Sequence, residues 1–290
     1  MSDKSDKRLD EPTGVETTGH SWDGIEELNN PLPRWWLWTL YATIIWAVGY
    51  TIAYPAWPMI SGATTGLLGY STRGEVAIDI AEHEAKNSAL VADLLAVDLA
   101  ELEPADDLHR YSVSRGGAVF RAHCSQCHGS GAAGAKGYPN LLDDDWLWGG
   151  DVDNIVHTVA HGIRNETDND ARYSEMPAFD EIFSNEEVGD VVEYVVSLSA
   201  PEFDASMAAR GSELFADNCS VCHGDAAMGN VDLGAPNLAD AIWLYGGDRT
   251  TVEQTVRYSR YGVMPAWGQR ISEADVRAVS VYVHSLGGGE

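Results

Sequence analysis

The sequence predicts a mainly α-helical protein: one N-terminal transmembrane helix followed by two tandem small helical domains. Three observations carry that prediction. Residues 35–54 contain no Asp, Glu, Lys, Arg or His. The pentapeptide Cys-x-x-Cys-His occurs twice, as Cys124-Ser-Gln-Cys127-His128 and Cys219-Ser-Val-Cys222-His223, and together the two copies use every cysteine of the chain. Longer stretches around the pentapeptides repeat in register, which marks two copies of one structural unit.

The apolar segment comes first. At about 1.5 Å per residue, a helix over 35–54 spans about 30 Å, the thickness of a bilayer core. Trp35, Trp36 and Trp38 crowd one end, and Tyr50, Tyr54 and Trp57 mark the other, as interfacial aromatic belts do. Pro31 and Pro33 precede the segment, while Pro55 and Pro58 end it. A buried core helix is rarely apolar all round, and a cleaved signal peptide would start earlier and be shorter. The expectation is a single uncleaved anchor over 34–57. Lys4, Lys7, Arg8 and Arg34 precede it and no basic residue follows before Arg73. The positive-inside rule therefore puts the tail 1–33 in the cytoplasm and everything after the anchor on the outer side of the membrane.

The chain has 290 residues, and its 45 acidic against 18 basic residues give a formal charge of −27. The excess is spread along the chain and is not gathered in one tail. Two meanings remain open: steering of a basic partner protein, or a surface suited to high salt.

The pentapeptides bring the chemistry. Two thiols three residues apart can add across the vinyl groups of a haem, and the adjoining imidazole is placed to ligate the iron. A structural zinc site would want its cysteine pairs within about 15–20 residues of each other. A thioredoxin-like pair has no use for the His, and two disulfides would not explain its repetition. Cys124, Cys127, Cys219 and Cys222 are thus assigned to two covalently bound haem c groups, with His128 and His223 as iron ligands.

The repeat extends further. Phe120 and Phe215 lie four residues before the first Cys of each motif. Pro139-Asn140-Leu141 and Pro236-Asn237-Leu238 follow, then Trp146-Leu-Trp148-Gly-Gly-Asp151 and Trp243-Leu-Tyr245-Gly-Gly-Asp248, then Met176-Pro-Ala-Phe179 and Met264-Pro-Ala-Trp267. After each Met, a Val, Val, Tyr, Val, Leu pattern at helical spacing predicts a closing helix, opened by Ser184-x-x-Glu187 and Ser272-x-x-Asp275. The expected division is a connector with a helix over 58–108, domain 1 over 109–200 and domain 2 over 201–290. Residues 165–175 form a polar insertion before Met176. Met176 and Met264, matched in place and each followed by Pro, are expected as sixth ligands, Met176 for haem 1 and Met264 for haem 2. His123, His157 and His161 keep a second imidazole open for haem 1. Trp146, Trp148, Trp243, Tyr245 and Trp267 are expected to wall the pockets, and Arg164 to meet a haem propionate.

Trp22-Asp-Gly-Ile25, Asn29-Asn-Pro-Leu-Pro-Arg-Trp-Trp-Leu-Trp38, Ile44-Ile-Trp46 and Tyr54-Pro55 resemble the N-terminal signature of subunit III (CcoP or FixP) of cbb3-type cytochrome c oxidases. The Trp-Leu-Trp-Gly-Gly-Asp and Met-Pro-Ala-Phe/Trp stretches match the same family, apart from Asp180 where Gly is expected. The resemblance implies two tandem class I cytochrome c domains. It implies a non-catalytic electron-transfer subunit with no catalytic residue of its own, in a complex that pumps protons and reduces oxygen to water. The expected partners are a soluble or membrane-anchored cytochrome c donor, the monohaem subunit and the catalytic haem–copper subunit. The helix expected over 74–101 would brace the haem domains against partner subunits. A dihaem cytochrome serving a periplasmic dehydrogenase or another terminal reductase is the alternative. A haem-based sensor would want an open sixth position, which two matched methionines argue against, and a dihaem peroxidase would want a high-spin haem with a distal base.

Overall fold

The computed structural model describes residues 7–104 and 106–288. The chain divides into two compact units, Met1–Ala85 and Lys86–Glu290.

In the first unit, β1 (Leu9–Asp10), β2 (Val15–Trp22) and β3 (Ile25–Leu28) form an antiparallel sheet where the sequence suggested only a tail. The cause is local. Asp23 and Gly24 both take positive φ, 52° and 85°, which turns β2 back on β3 in a two-residue hairpin. Helix α1 (Arg34–Ala53) follows Pro33 and buries none of its side chains. Trp35, Trp38 and Trp46 are about 70% exposed. An apolar helix bare on every side belongs in a medium as apolar as itself. Its last carbonyls are met by the returning backbone: the amides of Leu67 and Leu68 donate to Ile52 and Ala53 at 3.0 and 3.1 Å. A short hairpin, β4 (Pro58–Met59) with β5 (Gly62–Ala63), fills the turn between.

Helix α2 (Thr72–Ala96) is exposed along its first turns, and its end anchors in the second unit through Leu94. Arg277 Nε donates to the Leu94 carbonyl at 2.8 Å, capping the helix C-terminus with a cation. The remaining helices are α3 (Asp107–Val119), α4 (Ser125–His128), α5 (Val152–His161), α6 (Asn185–Ser197), α7 (Ala205–Asn218), α8 (Ser220–His223), α9 (Arg249–Tyr258) and α10 (Glu273–His284). The α3 helix runs into α4 through a π turn, Phe120–Cys124. Ser184 and Glu187 cap α6 reciprocally, as expected, and Ser272 caps α10.

The packing exchanges the closing helices. One core joins Phe120, Ile155 and Val159 of the first repeat to Val276, Val279 and Val283 of α10, from the second repeat. The other joins Phe215, Val252 and Val256 of the second repeat to Val188, Val191 and Val195 of α6, from the first. Gly116 makes the first crossing possible, since a Cβ there would lie 2.1 Å from the Ala278 carbonyl oxygen. Gly211 does the same for the second, at 1.9 Å from the Asp190 carbonyl oxygen. Tyr282 then packs on Phe120 and Tyr194 on Phe215, at 5.5 and 5.0 Å between ring centroids. Arg115–Asp275 and Arg210–Asp190 ion pairs, at 2.8 and 2.6 Å, fasten the same two interfaces.

The physical reason is the short connector 198–204, which leaves α6 packed on the next helix, α7, where Gly211 meets Asp190 and Phe215 meets Tyr194. With α6 taken, the first repeat is closed by α10. The closing helix of each repeat, 109–200 and 201–290, therefore packs in the core of the other.

Candidate functional site

Both pentapeptides fold alike. In each, a short helix ends at a glycine of positive φ, Gly129 at 80° and Gly224 at 77°, and the chain loops back under the imidazole. His128 Nδ1 lies 3.1 Å from the Pro139 carbonyl oxygen, and His223 Nδ1 lies 3.0 Å from that of Pro236. A carbonyl can only accept, so Nδ1 carries the proton and Nε2 is left with its lone pair, the form that ligates a metal. Burial lowers both imidazole pKa values, against the pull of the proline carbonyls, and so favours that neutral form. The Pro-Asn-Leu stretches hold this geometry: Asn140 Oδ1 and Asn237 Oδ1 accept from the Leu142 and Ala239 amides, at 3.1 and 2.9 Å. The Leu141 and Leu238 amides each donate at 2.8 Å to Ala132 and Ala227.

The four cysteines form no disulfide. Burial, reinforced by the neighbouring thiol, pushes Cys124 and Cys219 up to about 11, the reverse of what a redox-active thiolate needs.

The structure separates Met176, Met207, Met228 and Met264. Met228 is 63% exposed, and Met207 lies against Gly189 on α6. Met264 packs on the core that includes Phe120 and Cys124, whereas Met176 packs on the core that includes Phe215 and Cys219. Each methionine therefore sits with the pentapeptide of the other repeat, opposite to the pairing the sequence order suggested. Backbone contacts hold this exchange. Met264 and Ile163 exchange amide–carbonyl hydrogen bonds at 3.0 and 3.1 Å. The Met176 carbonyl accepts from the Ser259 hydroxyl, and the Phe179 amide donates to Val256 at 3.1 Å.

Arg164, expected at a haem propionate, instead clasps the two crossing strands: Nε donates to the Ser174 carbonyl at 2.5 Å and Nη1 to that of Gly262 at 3.1 Å. His157 and His161 are engaged by the Asp170 carbonyl and the Asp168 carboxylate, and His123 packs on Trp267. Trp146 and Trp267 lie on the core of the first pentapeptide and Trp243 on that of the second.

Two arginines were missed. Arg172 lies over Trp148 at 5.5 Å and Arg260 over Tyr245 at 4.6 Å. Each stands four residues before a methionine in an Arg-Tyr-x-x-Met stretch, a repeat that could have singled them out. Trp148 Nε1 and Arg172 Nε are buried and have no partner. A cavity of about 660 Å³ is lined by Met176, Tyr245, Ser259, Arg260 and Tyr261, a volume in the usual range for a cofactor site.

These residues fit a haem: paired thiols for its vinyl groups, an oriented imidazole on one side, a thioether on the same core, and buried cationic and N–H donors suited to its carboxylates. The fold and site define a two-haem c-type cytochrome with an apolar N-terminal helix. Residues 14–61 match the family model for the N-terminal domain of cytochrome oxidase-cbb3, FixP. Residues 112–195 and 206–283 match the model for cytochrome c oxidase, cbb3-type, subunit III. The chain is 57% identical over 292 residues to the cbb3-type cytochrome c oxidase subunit CcoP of Cereibacter sphaeroides, covering 100% of both chains. It is 50% identical over 290 residues to subunit FixP of Sinorhizobium medicae, again covering 100% of both. The chain belongs to the subunit III family of cbb3-type cytochrome c oxidases. It is a membrane-anchored electron-transfer subunit with two covalently bound haem c groups, and it works in a complex with other oxidase subunits.

Proposed function

We propose that this chain takes electrons from a periplasmic cytochrome c donor and relays them to the monohaem and haem–copper subunits of its oxidase. Its N-terminus would lie in the cytoplasm and both haem sites in the periplasm. The distribution of basic residues, with Lys4, Lys7, Arg8 and Arg34 before α1 and none after it until Arg73, supports that orientation. When bound, each haem supplies a one-electron iron couple, and a methionine ligand raises its potential relative to a second histidine. The chain's own residues set the couple. Pro139 and Pro236 orient the imidazoles, and the exchanged cores keep water from the ligands.

Iron ligation in this reading is crossed: haem 1 is held by Cys124, Cys127, His128 and Met264, and haem 2 by Cys219, Cys222, His223 and Met176. The observation that carries it is the packing of each methionine with the other repeat's cysteine.

Membranes lacking this chain should lose oxygen uptake driven by reduced cytochrome c, and the wild-type chain should restore it. Replacing Cys219 and Cys222 by Ala should abolish the restoration while the haem–copper subunit still co-purifies with the chain. Full oxygen uptake by that variant would contradict the relay.

A further inference from the structure

We propose that the short segment from arginine to methionine in each repeat serves both haems. Arg172 holds a carboxylate of haem 1 and Arg260 one of haem 2, while Met176 and Met264, four residues further on, reach the opposite haem. The proposal rests on the crossed ligation above.

Arg172 belongs to the side of the first pentapeptide. Its amide donates to the Gly162 carbonyl at 3.1 Å, its own carbonyl accepts from the Arg164 amide at 2.8 Å, and its Nη2 donates to Asn154 on α5. Beside it, Trp148 is 7% exposed. The Trp148 indole N–H and the Arg172 Nε–H are both buried without an acceptor. Buried donors without partners are costly, and one of these belongs to a cation, so the pair calls for an anion. The carboxylates of haem are the anions this site brings.

The second repeat repeats the device. Arg260 Nε donates to Thr255 Oγ1 at 2.9 Å and Nη2 to the Thr251 carbonyl at 2.6 Å, so the guanidinium is fixed on α9 over Tyr245. Arg260 and Tyr245 line the same cavity as Met176. An arginine of the second repeat and the methionine of the first thus face one space.

Between arginine and methionine, each segment changes sides. Ser174 and Gly262 are the crossing points, both clasped by Arg164. A guanidinium beside a haem carboxylate disfavours the added positive charge of ferric iron, so removing it lowers that haem's potential and leaves the other unchanged.

The test uses the full chain with both haems, carrying Cys127→Ala as a label. A haem held by one thioether keeps one conjugated vinyl group, so its absorption band moves to longer wavelength and its redox titration can be read separately. Arg172→Gln is expected to lower the reduction equilibrium of the labelled haem about tenfold, about 59 mV for one electron, with the unlabelled haem unmoved. Arg260→Gln is expected to do the reverse. Trp148→Phe, which keeps an aromatic ring but removes the N–H together with the five-membered ring, should lower the labelled haem in the same direction, and Arg172→Lys should recover most of the loss. A labelled-haem potential unchanged in both Arg172→Gln and Trp148→Phe overturns the carboxylate contact. If Arg172→Gln fails to retain haem, Trp148→Phe alone decides. If Arg172→Gln and Met176→His both lower the labelled haem, the contact stands but the ligation is not crossed, and the bridging segment is overturned.

Discussion

Met264 and Ile163 pair as a two-residue antiparallel bridge, each amide donating to the other's carbonyl at 3.0 and 3.1 Å. Ile163 comes directly after Gly162, which caps the helix that packs beside the first haem motif, and Met264 comes from the far repeat. The bridge is thus where the second repeat delivers a ligand to the first. Gly162 lies against it: a Cβ at that position, where φ is +77°, would sit 2.3 Å from the Met264 carbonyl oxygen.

Gly162→Ala is therefore expected to cost about 1–3 kcal/mol through backbone strain and displacement of the bridge. Urea unfolding followed by far-ultraviolet circular dichroism measures the cost. An unchanged midpoint would show that the bridge does not constrain the methionine loop.

Arg164 itself has φ of 50°, uncommon for a residue with a side chain, and its guanidinium holds the carbonyls of both crossing strands. Arg164→Gln should destabilise the haem unit by about 1.5–3 kcal/mol, the range for hydrogen bonds to a charged group. It should also loosen both methionines together, visible as coordinated broadening or loss of the methionine-ligated spectral signature at both haems. Loss at one haem alone would contradict a shared clasp.

Gly116→Ala and Gly211→Ala should distinguish the two exchanged cores. The first pushes α10 from α3 and the second α6 from α7, because each Cβ would fall near 2 Å from a backbone oxygen, 2.1 and 1.9 Å respectively. Exchange predicts that Gly116→Ala perturbs the haem of Cys124 and the loop of Met264, whereas two self-closed repeats would have put Gly116 against the helix after Met176. Amide hydrogen exchange of α6 and α10 in the Gly116→Ala chain distinguishes them: lost protection in α10 fits exchange, and lost protection in α6 alone contradicts it.

Glu193 on α6 joins three elements, accepting from Arg249 Nε at 2.5 Å and from the Asp204 amide at 2.9 Å. The Arg249 guanidinium, outweighing the opposing effect of burial, holds its carboxyl below the usual glutamate range. A depressed folded value means that the stabilisation is complete above the unfolded value of about 4.3 and fades as pH falls through the folded one. Stability of the α6–α7–α9 unit should therefore drop on acidification below about pH 4.5, and Glu193→Gln should flatten that drop while lowering stability at pH 7. An unaltered pH profile in Glu193→Gln would remove the carboxylate from the account of acid sensitivity.

The haem loops, the matched methionines, the capped closing helices and the membrane-length helix were all legible in the sequence, because each rests on local spacing or on a local run of residues. The exchange was not. The glycine eight residues before each Cys motif, the phenylalanine four before it and the tyrosine eighteen after each Met are the same in both repeats. A closing helix therefore carries the same code for its own repeat and for the other, and local pattern cannot choose between them. The choice is made by the reach of the connector 198–204, a three-dimensional fact. The N-terminal sheet had a readable signal, the Asp23-Gly24 dipeptide, but β1 and β3 have only two and four residues and β2 (VETTGHSW) shows no clear apolar alternation. Arg172 and Arg260 were not paired in the sequence because residues 165–175, which include Arg172, read as an unmatched insertion, although both arginines stand four residues before a methionine.

The most direct test of crossed ligation is a redox titration of the full Cys127→Ala chain, reading the shifted band of haem 1 alone. Met264→His should lower that potential and Met176→His should leave it in place while lowering the other haem. If instead Met176→His lowers the labelled haem and Met264→His does not, each repeat ligates its own haem and the exchanged reading fails.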